Sequence, residues 1–348
     1  MFRQFVFVSG LVLLGFGLMS SRLFDSKGHT NKVWDADTPV AEVLKAFGEP
    51  YPDHRPDKLD PEKVKQGFEL ATKGATMGPD GKMTRIQSRY FVCTNCHNME
   101  KEDPDLRSSD PEKRLDYVNE MGLAFLQGTT MYGTVNKVSW YNGDYYKKYG
   151  DLVKPANKSL KEAIHLCSVV CSQGRELKDW EMDAMMQYFW SLELKMGDLS
   201  LTTKDWELIR GAQKSGDRDA DAIKYIKSFY QSGSPATFVE GPESKHEGYK
   251  IGREPSAERG KQIYDFACLR CHDQQGPSKY LKLNHDKLSM QLFRKNMFRK
   301  GHLSLYDIIR HGTYADKGHR AYMPHYTEER MNNQQVEDLR AYIEQGPY

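Results

Sequence analysis

The sequence predicts a mainly α-helical protein, built as two tandem helical modules behind an N-terminal apolar segment. Three observations lead there. One five-residue pattern occurs twice, as Cys93-Thr-Asn-Cys96-His97 and Cys268-Leu-Arg-Cys271-His272. Two amphipathic segments, Leu177 to Leu192 and Met331 to Ile343, align without a gap, so that Leu177 matches Met331, Met182 matches Val336, Met185 matches Leu339 and Tyr188 matches Tyr342. The chain of 348 residues is long enough for two cores of ordinary size.

The N-terminal run Phe5 to Met19 is almost wholly apolar and follows a short flank carrying Arg3. It reads as an export signal. Small residues suited to cleavage are scarce before Arg22, which favours retention as an anchor, although the run is slightly shorter than the ~20 residues that span a bilayer comfortably. Residues 1–23 are therefore expected to be a signal anchor, with the body on the periplasmic side of a bacterial inner membrane, or free in the periplasm after cleavage. Charge is nearly balanced, 50 Lys plus Arg against 48 Asp plus Glu, so no basic field argues for nucleic acid.

Residues 24–59 are polar and dotted with proline, and read as a linker with one short helix from Val40 to Phe47, stopped by Gly48. The first module is expected over 60–200. It opens on Asp60-Pro61, an N-cap followed by the proline that suits a first helical turn. The Pro79-Asp-Gly81 turn and the alternating stretch Met83 to Val92 predict a small hairpin leading into the first cysteine motif. Residues 201–254 read as a helical connector, Thr202 to Tyr230, followed by a Gly/Ser/Pro linker. The second module is expected over 255–348, where Ser256 starts a helix that runs straight into Cys268.

In C-x-x-C-H the two thiols form thioethers to haem vinyl groups, and the next histidine sits beneath the iron as proximal ligand. A zinc ribbon also uses two CxxC pairs. Here both pairs carry the histidine and lie far apart in an exported chain. Two covalently bound haem c groups are therefore expected, at Cys93, Cys96 and His97 and at Cys268, Cys271 and His272. The repeat, with a haem motif at the head of each copy, makes the two modules cytochrome c-like.

Tyr322-Met323-Pro324-His325 precedes the closing helix of the second module and resembles the Met-Pro loop of class I cytochromes c, which points to Met323 as distal ligand. Its rivals are Met290 and Met297, and His302, His311, His319 and His325. The position matching Met323 in the first module is Val169, which cannot bind iron but is bracketed by Cys167 and Cys171. Three readings of this tract stay open: Cys167 as ligand, Cys171 as ligand, or a Cys167–Cys171 disulfide that leaves the iron to Met131 or His165.

The stretch Ile164-x-x-Cys167, Gly174-x-x-Leu177, Glu181-Met182-x-Ala184-Met185-x-x-Tyr188-x-x-Ser191-Leu192 resembles the cysteine-ligand region of dihaem thiosulfate dehydrogenases, and the related SoxA-type cytochromes also use a cysteine ligand. That resemblance implies Cys167 as the distal ligand of the first haem, and oxidation of thiosulfate to tetrathionate there. The chain departs from the pattern at Val170 to Gln173 and in the aromatic tract from Ser139 to Tyr146.

Two functions fit these features. The first is an anchored dihaem carrier that passes electrons from haem 1 to haem 2 in a respiratory chain, with redox proteins or a larger respiratory complex as partners. The second is a sulfur-compound oxidoreductase, for which Arg175 is the nearest cation to receive an anionic substrate. A dihaem peroxidase is a weaker third, since it needs an open distal face.

Overall fold

Two helix crossings organise the protein, and both are made through glycine. The computed structural model describes residues 33–212, 219–279, 281–313 and 322–346. The N-terminal apolar run and His319 lie outside them. In chain order the helices are α1 (Val40–Ala46), α2 (Pro61–Lys73), α3 (Pro111–Met121), α4 (Tyr145–Tyr149), α5 (Leu160–Leu166), α6 (Asp179–Trp190) and α7 (Thr203–Ala212). Beyond them lie α8 (Ala220–Lys227), α9 (Ala257–Ile263), α10 (Leu269–His272), α11 (Lys287–Met297), α12 (Leu305–His311) and α13 (Asn333–Gln345). Among the described residues there is no strand, only isolated bridges such as Met77 with Met83. No helix among them is long and apolar enough to cross a membrane.

Local chemistry sets the helix ends. The Asp60 carboxylate accepts the Glu62 amide at 2.9 Å, Pro61 follows it, and Gly74 closes α2 with φ 71°. At α13 the capping is reciprocal: Asn332 accepts from the Gln335 amide at 2.8 Å, and Gln335 accepts from the Asn332 amide at 3.0 Å. The predicted helix after Val40 ends at Ala46, with Gly48 at φ 89° just beyond it.

In the first module α2 crosses α6, and a Cβ on Gly67 would lie 2.1 Å from the Ala184 carbonyl oxygen and 2.6 Å from the Tyr188 Cβ. In the second, α9 crosses α13, and a Cβ on Gly260 would lie 1.9 Å from the Asp338 oxygen and 2.8 Å from the Tyr342 Cβ. Ala184 aligns with Asp338, and Tyr188 with Tyr342, in the same register that aligns Leu177 with Met331. The repeat read from the closing helices is therefore a repeat of the crossing itself.

The modules differ in the segment between the first helix and the cysteine motif. In the second, α9 passes through a π-helical turn, Tyr264–Cys268, directly into α10 and its histidine. In the first, a loop separates α2 from Cys93, and the hairpin expected there shrinks to the Met77–Met83 bridge. The reason is competition for hydrogen bonds. The Gln87 side chain donates to the Ser168 carbonyl and hydroxyl, both at 2.7 Å, the Gln87 carbonyl accepts the Arg175 amide at 2.9 Å, and the Ser88 hydroxyl donates to the Ser172 carbonyl at 2.5 Å. Residues 87 and 88 thus serve the Cys167–Cys171 tract and not a partner strand.

Sequence neighbours do not always share a core. Leu115, Val118 and Phe125, which precede the first closing helix, are buried with Ile263, Tyr264, Met290, Met297, Val336 and Leu339 in the core around α9 and α13. Trp34, Val40, Val43 and Phe47 are buried with Met196, Leu199, Ile223 and Ile226, so the expected linker packs onto the connector helices. From Trp34 onward the described residues belong to one compact unit.

A buried ion cluster joins the segment after the first cysteine motif to the region around α13. Arg330, just ahead of α13, donates to Glu102 at 2.7 Å, while Arg114 of α3 lies 3.9 Å from the same carboxylate, and all three side chains are at most 7% exposed. Arg114 also donates to the Arg330 carbonyl and stacks over the Phe125 ring at 3.9 Å. Burial alone would raise the Glu102 pKa, but Arg330, Arg114 and the hydrogen bonds from Arg330 and Asn98 hold it down to about 2.

Both features can be tested by stability measurements. Gly67→Ala and Gly260→Ala each force a side chain into a backbone contact and are expected to cost about 1–3 kcal/mol or more, read from chemical denaturation. Since the folded pKa of Glu102 lies below its ordinary 4.5, its contribution to stability is complete above about pH 4.5 and is lost as pH falls toward about 2. Denaturation midpoints across that window are expected to fall more steeply in the wild type than in Glu102→Gln.

Candidate functional site

The two cysteine motifs are held in the same way. His97 donates from Nδ1 to the Thr129 carbonyl at 2.6 Å, and His272 from Nδ1 to the Leu281 carbonyl at 3.0 Å. Each ring is thereby set in the tautomer whose Nε2 lone pair is free for a metal. Burial pushes both imidazoles below their ordinary pKa, against the opposing pull of those carbonyls, so they are neutral at pH 7. Gly128 makes the first arrangement possible: its amide bonds the Cys96 carbonyl at 2.9 Å, and a Cβ there would lie 2.5 Å from His97 Cε1.

Cys93, Cys96 and His97 lie on the wall of a cavity of about 490 Å³ whose remaining lining includes Leu70, Met131, Trp140, Leu160, Met185 and Phe189. This is an apolar slot of the size that cofactor sites occupy. Burial pushes the Cys93 thiol up to about 11, so it carries no charge into that slot at pH 7. Two thiols, a neutral imidazole with its far nitrogen fixed, and an apolar enclosure fit a covalently attached haem.

Cys167 and Cys171 line the same cavity. Helix α5 runs into a π-helical turn spanning Cys167–Cys171, closed by the Ser172 amide on the Cys167 carbonyl at 2.8 Å. Such turns widen a helix locally and often mark functional sites. Gly174 comes next, where a Cβ would lie 2.2 Å from the Gln87 side chain. All six cysteines are free thiols in the structure. The two thiols hydrogen-bond each other, which raises Cys167 and lowers Cys171, with Tyr141 adding its hydroxyl 3.7 Å from the Cys171 sulfur. Cys171 is thus tied to a tyrosine while Cys167 is not. Of the other two donors the sequence offered here, Met131 is buried on the cavity wall, and His165 turns outward to Glu176 at 3.9 Å.

The second module's ligand candidates lie in different surroundings. Met323 is half-buried, its amide donating to the Thr313 hydroxyl at 2.7 Å and its carbonyl accepting the Thr313 amide at 2.9 Å. Met290 and Met297 are buried in the core around α9 and α13, and His302 is exposed. His311 and His325, rivals of Met323 by sequence, line the cavity of the first motif together with Tyr322, Pro324 and Arg330. One wall of the first site is therefore supplied from beyond residue 300, which the order of motifs along the chain does not show.

Arg175 does not stand free for an anion. Its guanidinium is bidentate to buried Glu181 at 2.6 and 2.7 Å and also donates to the Glu176 and Arg85 carbonyls. The aromatic tract does face the site: Tyr141 and Tyr145 line the cavity with centroids 5.1 Å apart, Tyr145 meets Phe238 at 5.1 Å, and Phe238 meets His325 at 4.9 Å. The tyrosines were legible as an aromatic cluster, whereas Glu102 and Arg330 carried no signal beyond ordinary charge.

The two motifs also approach each other, with the Cys271 sulfur 4.0 Å from the Asn95 carbonyl oxygen. A cleft of about 280 Å³ between them is lined by Thr94 and Asn95 on one side and Arg270, Asp273 and Gln275 on the other.

Residues 255–343 match a protein-family model described as cytochrome C oxidase, cbb3-type, subunit III. No curated protein and no solved structure matches the chain. The match covers α9, the second cysteine motif, Met323 and most of α13, and with the helical architecture it shows that this chain carries a cytochrome c domain at residues 255–343.

Proposed function

We propose that the chain is a dihaem c-type cytochrome that passes single electrons from a haem at Cys93, Cys96 and His97 to a second at Cys268, Cys271 and His272. The observation that carries this reading is the meeting of the two motifs at Cys271 and Asn95, which brings two attachment sites within one short transfer distance. When bound, each haem supplies a one-electron iron couple. The chain's own residues hold the imidazoles through Thr129 and Leu281, shut water from the first site with Leu70, Trp140 and Phe189, and offer axial donors.

Met323 would be the residue that holds the second haem, where a neutral thioether would raise the potential. Cys167 would be the residue that holds the first haem, as a thiolate, while Tyr141 keeps Cys171 as a hydrogen-bonding partner. A thiolate at the first haem and a thioether at the second would direct electrons from haem 1 to haem 2. The apolar run at residues 5–19 would tether the protein to the periplasmic face of the inner membrane, beside respiratory redox partners. A second reading, oxidation of thiosulfate at haem 1, rests on the two thiols in the cavity wall. With Arg175 locked to Glu181, it would need another cation to receive the anion.

The mass of the purified holoprotein is expected to show two covalent haems, with Cys93→Ala/Cys96→Ala and Cys268→Ala/Cys271→Ala each losing one. A single haem in the wild type sinks the dihaem reading. EPR of the oxidised protein is expected to show a low-spin thiolate signal that Cys167→Ala abolishes and Cys171→Ala only shifts; the reverse pattern transfers the ligand to Cys171. Turnover of thiosulfate with an artificial acceptor, lost in Cys167→Ala, would favour the enzyme over the carrier.

A further inference from the structure

We propose that Arg330 is a positioning residue for the first haem: a buried cation, delivered from just ahead of α13, that raises the potential of the iron bound by His97. The inference rests on the dihaem reading.

The geometry is specific. Arg330 Nη1 donates to Glu102 at 2.7 Å, Nη2 donates to the Gly128 carbonyl at 2.6 Å and the Leu126 carbonyl at 2.8 Å, and Nε also reaches Leu126, at 3.2 Å. Gly128 packs on the His97 ring, and the next residue, Thr129, takes the His97 Nδ1 proton in its hydrogen bond. The guanidinium is therefore fastened to the loop that orients the proximal imidazole, and it lines the cavity of the first motif. Glu102 clasps the same loop from the other side, accepting the Thr130 amide at 2.8 Å and the Asn98 side chain at 2.8 Å, one residue beyond His97.

The charges do not cancel. Arg330 and Arg114 are two buried cations around one carboxylate. Counted with their titratable neighbours, three cations face two carboxylates: Arg330, Arg114 and Lys137, the last pushed down by burial to about 8 and so largely cationic at pH 7, stand against Glu102 and Asp103. Arg114, driven down to about 9 by burial and by Arg330, is also cationic. Arg330 and Lys137 are both felt at His97, against the carboxylate of Glu102, whereas the charge felt at His272 is Lys282. Ferrous haem carries one positive charge less than ferric haem, so a nearby cation in a medium of low dielectric favours the reduced form. The cluster works against the thiolate, so the gap between the two haems is narrowed and electrons exchange across a small step.

The test is a spectroelectrochemical titration of the full-length holoprotein, after its haem content has been counted. Arg330→Gln is expected to lower the midpoint of the first haem enough to shift the electron-exchange equilibrium about tenfold, which is about 59 mV for one electron, and to leave the second nearly in place. Arg330→Lys keeps the charge and is expected to restore most of the shift. Glu102→Gln removes the countercharge and is expected to raise the same midpoint. General loosening of the site would move both variants in one direction, so shifts of the same sign, or an unmoved midpoint in Arg330→Gln, overturn the proposal. Should Glu102→Gln not fold, a midpoint in Arg330→Lys as low as in Arg330→Gln overturns it equally. A wild type with one haem would instead defeat the dihaem reading.

Discussion

The contact on which each module depends is a helix crossing with no room for a side chain. At Gly67 and at Gly260 the backbone of one helix touches the backbone and a tyrosine Cβ of its partner. That approach brings the apolar faces of α2 and α6, and of α9 and α13, into direct packing, where Leu70, Ala71, Met185 and Phe189 form one core and Ile263, Val336, Leu339 and Ile343 belong to another. The cysteine motifs then emerge at a defined place relative to those cores. In the second module the path from glycine to haem motif is a continuous helix with one π-helical turn. In the first it is a loop whose polar groups are spent on the cysteine tract after α5.

A second constraint is long-range and ionic. Taking Glu102 out of water is costly unless its charge is met, and the two guanidiniums that meet it come from α3 and from the approach to α13. The consequence is interlocking. The strap holding Tyr322, Pro324 and His325 closes the first cavity, Tyr326 donates to the Phe125 carbonyl at 3.1 Å, and α3 contributes Leu115 and Val118 to the core around α13. The two motifs consequently face one another, with the sulfur of one near a carbonyl of the other.

The Cys167–Cys171 tract shows how a local deviation in backbone geometry acquires chemical meaning. A π-helical turn sets both sulfurs toward the cavity, Gly174 lets the chain pass against Gln87, and Tyr141 bonds only one of the two thiols. The pair is thereby made inequivalent. Arg175, a few residues on, is spent on Glu181 and supports the fold of the tract instead of receiving an anion.

The sequence by itself determined what is encoded within a few residues: the C-x-x-C-H groups, whose five residues are contiguous, the capped starts of α2 and α13, and the repeat of the closing helices. Those features depend on nearest neighbours and on helical periodicity, and both are written along the chain. Only the tertiary structure decided that His311 and His325 line the first cavity, that Arg175 is locked, and that Arg330 reaches the loop beneath His97. Those placements join residues a hundred or more positions apart, or depend on which of several charges finds a buried partner. Such pairings leave no periodic or local trace, because burial and geometry, rather than residue type, select among many chemically equivalent charges.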